Sequence, residues 1–283
     1  MGSQLSSWFV TLVLGAALLS GCATTSPTLG TTDYPSGLAT PLPQTDGYGL
    51  LAKPAPLPKN VSEQAYQQAK QSCDTGCVTP AGTLLGTVDR VNAYSNCQST
   101  CARSEFSFMD LRNKAVSLHQ KPPADAHLHY IGLSYQCVEY ARRWWMTNLG
   151  ITFGDVDSAH EILYLTEGKD IRSKASFPLA RSINGTAQRP PKRGDLLIYY
   201  PDPKNPKWRH GHIAVVVGVD QQQGWVSVAE QNYDNLPWAQ PHYARQLRLF
   251  NVGGRYHVVD VVSDKVSNPV GGLVSGWIYP ATR

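Results

Sequence analysis

A cysteine, a histidine and a glutamate stand in this sequence where a nucleophile, a base and an orienting carboxylate would be wanted. Cys137 opens the segment "CVEYARRWWMTNLG". Within it Val138, Ala141, Trp145 and Leu149 recur near helical spacing and Gly150 follows as a C-cap, which predicts a helix from Val138 to Leu149. Cys137 then falls at or just before the first turn. There, unpaired backbone N–H groups and the positive dipole end favour a thiolate and could receive an oxyanion. A thiol becomes a nucleophile on losing its proton, and a histidine close by promotes that loss. His212 heads "HIAVVVGV", a β-branched run that predicts a strand, and the preceding "RGDLLIYY" predicts a turn and a strand over Leu196 to Tyr200. A third strand, "GWVSVAEQN", ends at Glu230, with Gln231 and Asn232 as alternative partners for the imidazole. One helix start and two strand ends thus supply a nucleophile–base–orienter set. The competing readings are a buried structural thiol at Cys137 and an edge-strand histidine making an ordinary hydrogen bond at His212.

The cysteine count adds weight to Cys137. The six cysteines are Cys22, Cys73, Cys77, Cys97, Cys101 and Cys137. Leu19-Ser20-Gly21-Cys22 resembles a bacterial lipobox, whose cysteine is lipidated. The next four form two C-x-x-x-C pairs, "CDTGC" and "CQSTC". In an exported chain these read as two disulfides, with three connectivities open. Bridges between the pairs are favoured, because they would tie a helical segment around Ala65, Ala69 and Cys73 onto the domain. A zinc site built from the same four thiolates competes with that reading. Every pairing leaves Cys137 over.

The rest of the chain organises around this set. Trp8 to Leu19 is apolar but shorter than the roughly 20 residues that span a bilayer, which suits a signal-peptide core, although no Lys or Arg precedes it. By likeness to other lipoproteins, Ala23 after the cysteine favours the outer membrane, facing the periplasm. The expected organisation is a signal peptide over 1–21 and a lipidated cysteine with a Pro/Thr/Ser-rich tether over 22–60. A helical, cysteine-containing lead-in follows over 61–81, and one domain over 82–283. The net charge of +4 comes from scattered Lys and Arg, which excludes a nucleic-acid footprint. His210 and His212 in "HGH" share a strand face and permit a zinc reading, with "HLH" at His127 to His129 as further donors. No histidine has an aspartate four positions on, so no metal is expected. Tyr140, Trp144 and Trp145 read as core. Tyr233 and Trp238 read as groove lining, and the long "PDPKNPKWRH" loop as an overhang beside His212.

The motifs "QCVEYARRWW", "RGDLLIYY" followed by "GHIAVVVGV", and "VAEQN", in that order, resemble the CHAP domain, the cysteine- and histidine-dependent amidohydrolase/peptidase family. The likeness is closest in type to the amidase domain of glutathionylspermidine synthetase/amidase. "GTLLGTVDRVNAYSN" resembles that domain's opening strands, and "HYARQLRLF" with "GWIYP" its closing ones, so the resemblance runs from Gly82 to Pro280. It implies an α+β, papain-like fold in which N-terminal helices pack on a mostly antiparallel β-sheet. It also implies amide hydrolysis through a thioester, without a cofactor. Cys137 would be the nucleophile, His212 the general base and acid, and Glu230 the orienter. Arg142 and Asn232 would be substrate contacts, and the Cys137 N–H with the Gln136 side chain would form the oxyanion hole. The tether, the cysteine pairs and the long loop depart from that enzyme, and the expected compartment is not that of its cytosolic substrate. Peptidoglycan peptides are therefore the first expectation for a substrate, and a γ-glutamyl or glutathione–polyamine conjugate the second. A non-catalytic wall-binding lipoprotein scaffold is a reading of another class. The expected partners are peptidoglycan or a small amide conjugate, and a membrane through the lipid anchor.

Overall fold

The computed structural model describes residues 73–260 and 272–282. The expected signal peptide, Cys22, the tether and the lead-in up to residue 72 lie outside the described residues. Residues 73–81 of that lead-in form bends, a turn and an isolated bridge from Thr79 to Cys97, not a helix.

Fourteen strands are described. They are β1 (Leu84–Val88), β2 (Val91–Tyr94), β3 (Phe106–Asp110), β4 (Val116–His119), β5 (Leu128–Leu133), β6 (Ile151–Phe153), β7 (Glu167–Asp170) and β8 (Ser176–Ile183). The series continues with β9 (Leu196–Tyr199), β10 (His212–Asp220), β11 (Trp225–Ala229), β12 (Arg245–Val252), β13 (Arg255–Val259) and β14 (Val274–Pro280). The α-helix among the described residues, α1, spans Cys137–Asn148, and two 3₁₀ helices cover Ala159–Tyr164 and Pro206–Trp208. Nine strands form one antiparallel sheet in the order β13-β12-β11-β10-β9-β14-β8-β7-β6, beside a three-stranded sheet β4-β3-β5 and the hairpin β1-β2. The architecture is richer in strand than the expected α+β layering, and the expected N-terminal helices are not among its described elements.

Side-chain alternation explains why the central strands are apolar throughout. In β9 and β10, Leu196, Ile198, Ile213, Val215 and Val217 face α1, packing on Tyr140, Ala141, Trp144 and Trp145. The intervening Leu197, Tyr199, Ala214 and Val216 point to the other face, against Val226, Val228, Leu247, Val258 and Trp277. That second face is enclosed because the sheet curls back on itself. Gly185 N–H donates to Tyr256 O at 3.0 Å, and Tyr256 N–H to Ala187 O at 2.8 Å. The Asn184 side chain spans Val258 on both its N–H and its C=O, at 2.7 and 2.9 Å. Closing the sheet this way removes an open strand edge along β13.

Helix α1 is buried almost all round, including Glu139, Arg142 and Arg143. Its second side is covered by Met109 of β3 and Ile131 of β5, which meet Met146. A helix between two sheets needs partners for its polar groups, and Trp145 Nε1 accordingly donates to Gly194 O at 2.8 Å. The three aromatic residues read as core from sequence are core: Tyr140 and Trp145 are fully buried and Trp144 nearly so.

Candidate active site

The helix start puts Cys137 on the floor of a cleft of about 490 Å³, whose lining also includes Gln136, His212 and Asn232. Gln136 is the N-cap residue but makes no side-chain capping bond, so the first-turn N–H groups keep no side-chain acceptor from their own cap. Two disulfides, Cys73–Cys101 and Cys77–Cys97, use the other four described cysteines and leave Cys137 as the free thiol among the described residues. The bridges run between the two pairs, as favoured, and the zinc reading of the same thiols is replaced by them.

His212 is the first residue of β10. It is placed there by Gly211, whose φ of +67° suits glycine and where a Cβ would lie 2.5 Å from Tyr199 O. The ring is buried among Tyr199, Trp208 and Tyr233, with centroid distances of 5.4 to 6.0 Å. Its Nε2 is 2.8 Å from Glu230 Oε2, and its side chain also hydrogen-bonds Cys137. With Nε2 on Glu230, Nδ1 is the ring atom left for the thiol. Burial alone would lower the His212 pKa; Cys137, by charge and hydrogen bond, and then Glu230 outweigh it and raise the value to about 9. Burial likewise works against ionisation of Glu230, but Arg245 and His212 overcome it and hold the carboxyl at about 2.

Of the three residues considered as the ring's partner, Glu230 makes the contact. Gln231 turns the other way: its Nε2 donates to Glu139 Oε2 at 2.9 Å and its Oε1 accepts from Tyr94 N–H at 2.7 Å. Asn232 reaches Gln136, donating from Nδ2 to its Oε1 at 2.9 Å and to Ser99 O at 3.1 Å. Gln136 in turn donates from Nε2 to Cys101 O at 2.7 Å. A disulfide-bonded wall therefore holds the residue beside the thiol. Arg142 reaches the cleft, but its two terminal nitrogens are spent on its own protein, while Nε has no hydrogen-bond partner among the described residues. Arg142 donates to Ile131 O, to Gly154 O at 2.9 Å, and pairs with Asp155 at 3.0 Å.

The two histidines of "HGH" part company, since His210 Nδ1 lies 2.7 Å from Ser158 Oγ while His212 faces Glu230. Tyr233 lines the cleft as expected. Trp238 instead packs inward on Tyr140, over Gly86, where a Cβ would lie 2.2 Å from its ring. The "PDPKNPKWRH" loop contributes Pro206, Lys207 and His210 to the rim, while Trp208 anchors it in the core.

Sequence reading missed two polar groups. One is the buried Glu139–Arg143 pair on α1, with Nε–Oε1 at 2.7 Å, whose i, i+4 spacing was a readable signal. The other is Arg245 with Asp260, behind Glu230, paired at 2.7 Å. Only the fold brings that pair to the site.

Comparison with known proteins agrees with the geometry. A family model for the CHAP domain matches residues 128–232. The chain is 33% identical over 206 residues to the bifunctional glutathionylspermidine synthetase/amidase of Escherichia coli (strain K12), covering 72% of this chain and 30% of that one. It is 32% identical over 143 residues to the trypanothione synthetase of Crithidia fasciculata, covering 50% and 21%. The chain thus spans less than a third of the length of these curated relatives. Among solved structures, the crystal structure of Ly7917 with the hydrolyzing product of MDP matches at 16% identity and a TM-score of 0.26. That match covers 52% of this chain and 54% of the other and is too loose to carry an argument. Cys137, His212 and Glu230 all fall inside the matched stretch, and residues 128–232 belong to the CHAP-domain family.

Proposed function

We propose that this protein hydrolyses an amide bond through a thioester formed on Cys137. The observation that carries the reading is the unbroken line Cys137–His212–Glu230, which starts at a helix N-terminus and whose first two members line the cleft. His212 is protonated at neutral pH, since its value lies near 9, so the resting pair is an imidazolium beside the sulfur. Sγ attacks the scissile carbonyl carbon, and the oxyanion is received by the Cys137 N–H and the second proton of Gln136 Nε2. His212 gives its Nδ1 proton to the leaving amine as the C–N bond breaks. It then takes a proton from the water that attacks the thioester; the C–S bond breaks, the carboxylic acid leaves and the Cys137 sulfur is regenerated beside the imidazolium. Glu230 keeps the ring in the tautomer and orientation these steps need.

Peptidoglycan peptides are the substrate we favour. Two disulfides fit an oxidising compartment, and a lipidated Cys22 would place the domain at the outer membrane facing the wall. A glutathione–polyamine conjugate is the second reading, favoured by the 33% identity to the bifunctional synthetase/amidase. The test is release of new amino groups from purified cell wall and from glutathionylspermidine, side by side, with Cys137→Ala as control. Cleavage of either, lost in Cys137→Ala, establishes the hydrolase and its substrate. Wall binding that survives the substitution, with neither amide cut, would make the domain a scaffold.

A further inference from the structure

Behind His212 and Glu230 lies a second layer of charge that the reaction above does not use. Arg245 opens β12 and pairs in register with Val228, so its side chain shares a sheet face with Glu230, two residues further on. All three of its guanidinium nitrogens are engaged. Nε donates to Glu230 Oε1, and Nη2 to Glu230 Oε2 at 3.2 Å and to Tyr199 OH at 3.0 Å. Nη1 donates to Asp260 Oδ1 and Oδ2 at 2.7 and 2.9 Å. The Tyr233 ring covers the guanidinium at 3.5 Å, and its hydroxyl donates to Asp260 at 3.3 Å. Glu230 itself stands just past the end of β11, and the chain turns away at once, with Asn232 at φ +59°. The strand ladder therefore does not hold Glu230. The guanidinium fork does, and a planar fork fixes the plane of a carboxylate in a way that a lysine ammonium cannot.

We propose that Arg245, itself held by Asp260, is a positioning residue that locks Glu230 in the rotamer that grips His212 Nε2 and turns Nδ1 toward Cys137. The charges agree with this. Two buried carboxylates, Glu230 and Asp260, flank the Arg245 guanidinium, and Glu230 also meets His212. The groups facing His212 are Cys137 from α1, Glu230, and the rings of Tyr199, Trp208 and Tyr233. Asp234 lies within electrostatic reach of Glu230 and Arg245. The inference rests on the proposed thioester chemistry at the same site.

The test is the rate of Cys137 carbamidomethylation by iodoacetamide against pH, read on the Cys137 peptide of the non-reduced full chain. Alongside wild type it takes Glu230→Gln, Arg245→Gln, Arg245→Lys, Asp260→Asn and the double Glu230→Gln/Arg245→Gln, with melting curves to confirm folding. Arg245→Gln should slow labelling at pH 6 by about 10²-fold, the scale of a misplaced reacting group. The double variant should be no slower than Glu230→Gln, because Arg245 acts through Glu230, and Arg245→Lys should recover only part of the rate. Asp260→Asn, which frees one side of the guanidinium, should slow labelling at pH 6 by less than Arg245→Gln does. If Arg245→Gln fails to fold, Arg245→Lys and Asp260→Asn decide: an unchanged rate and profile in both overturns the clamp. So does a double variant that loses the product of the two single losses. Wild-type Cys137 that labels no faster than a free cysteine overturns the thioester reading and the clamp together. Fast wild-type labelling with unchanged variants overturns the clamp alone.

Discussion

The two sides of the cleft are held by different physics. On the sheet side, His212, Glu230, Arg245 and Asp260 form a line of alternating charge, each link a charge-assisted hydrogen bond between strand ends. On the other side, Gln136 makes only neutral bonds: it accepts from the Asn232 amide, and it donates to the carbonyl of Cys101 in an irregular segment. Two disulfides fasten that segment, and it includes Cys97 at φ +69°, a conformation that costs a residue other than glycine about 1–3 kcal/mol. In the proposed reaction, the side that moves protons is thus tuned by charge, and the side that receives the oxyanion is fixed by covalent cross-links. Acid, base and charge substitutions should disturb the first, and reduction the second.

Predictions that break or sharpen this contrast run from large to small. Cys137→Ala belongs to both sides and should abolish turnover, a loss on the order of 10⁶-fold in amide release. His212→Ala should cost about 10²–10⁴-fold in kcat, and a loss confined to KM would deny it the acid–base role. Gln136→Ala removes a candidate oxyanion donor and should lower kcat about 10²–10³-fold while leaving the pH profile in place, because no charge on the sheet side changes. Replacing Cys73 and Cys101 together by alanine should cost about 2–4 kcal/mol in denaturant unfolding and lower kcat as Gln136→Ala does. A double variant with wild-type kcat would show that the cross-linked wall does not position Gln136.

The smallest effect is on stability against pH. His212 is raised to about 9 from an ordinary 6.5, so its contribution is complete below 6.5 and is lost as pH rises through about 9. Glu230 is held at about 2 against an ordinary 4.5, so its contribution is complete above 4.5 and is lost as pH falls through about 2. Melting temperature should therefore be flat between about 4.5 and 6.5 and decline on both sides, and Glu230→Gln should flatten both declines.

What the sequence made legible was what local periodicity encodes. Helical spacing marked α1 to within a residue at each end, and β-branched runs placed His212 at a strand start and Glu230 at a strand end. Excess of one cysteine over two pairs singled out Cys137 among the described residues. What was hidden depends on residues far apart in the chain. Arg245 and Asp260 read as ordinary charges until β12 folds beside β11 and β13 beside β12. Asn232 looked like a partner for the imidazole, yet the left-handed backbone at that position turns it to Gln136. Trp238, in a loop rich in Pro and Asn, looked like groove lining. It is drawn inward by its N–H bond to Leu85 O at 2.8 Å and by the space left over Gly86. Likewise nothing in the local pattern announces that Asn184 and Tyr256 close the sheet.

The most direct test of the central claim is amide release at saturating substrate across pH 5 to 10 for wild type and Glu230→Gln, using whichever of wall fragments or glutathionylspermidine is cut. The account predicts activity that falls as pH rises through about 9, where His212 loses the proton it must give the leaving amine, and a fall at lower pH in Glu230→Gln. Turnover that stays level through pH 10, or an alkaline limb unmoved in Glu230→Gln, would contradict it.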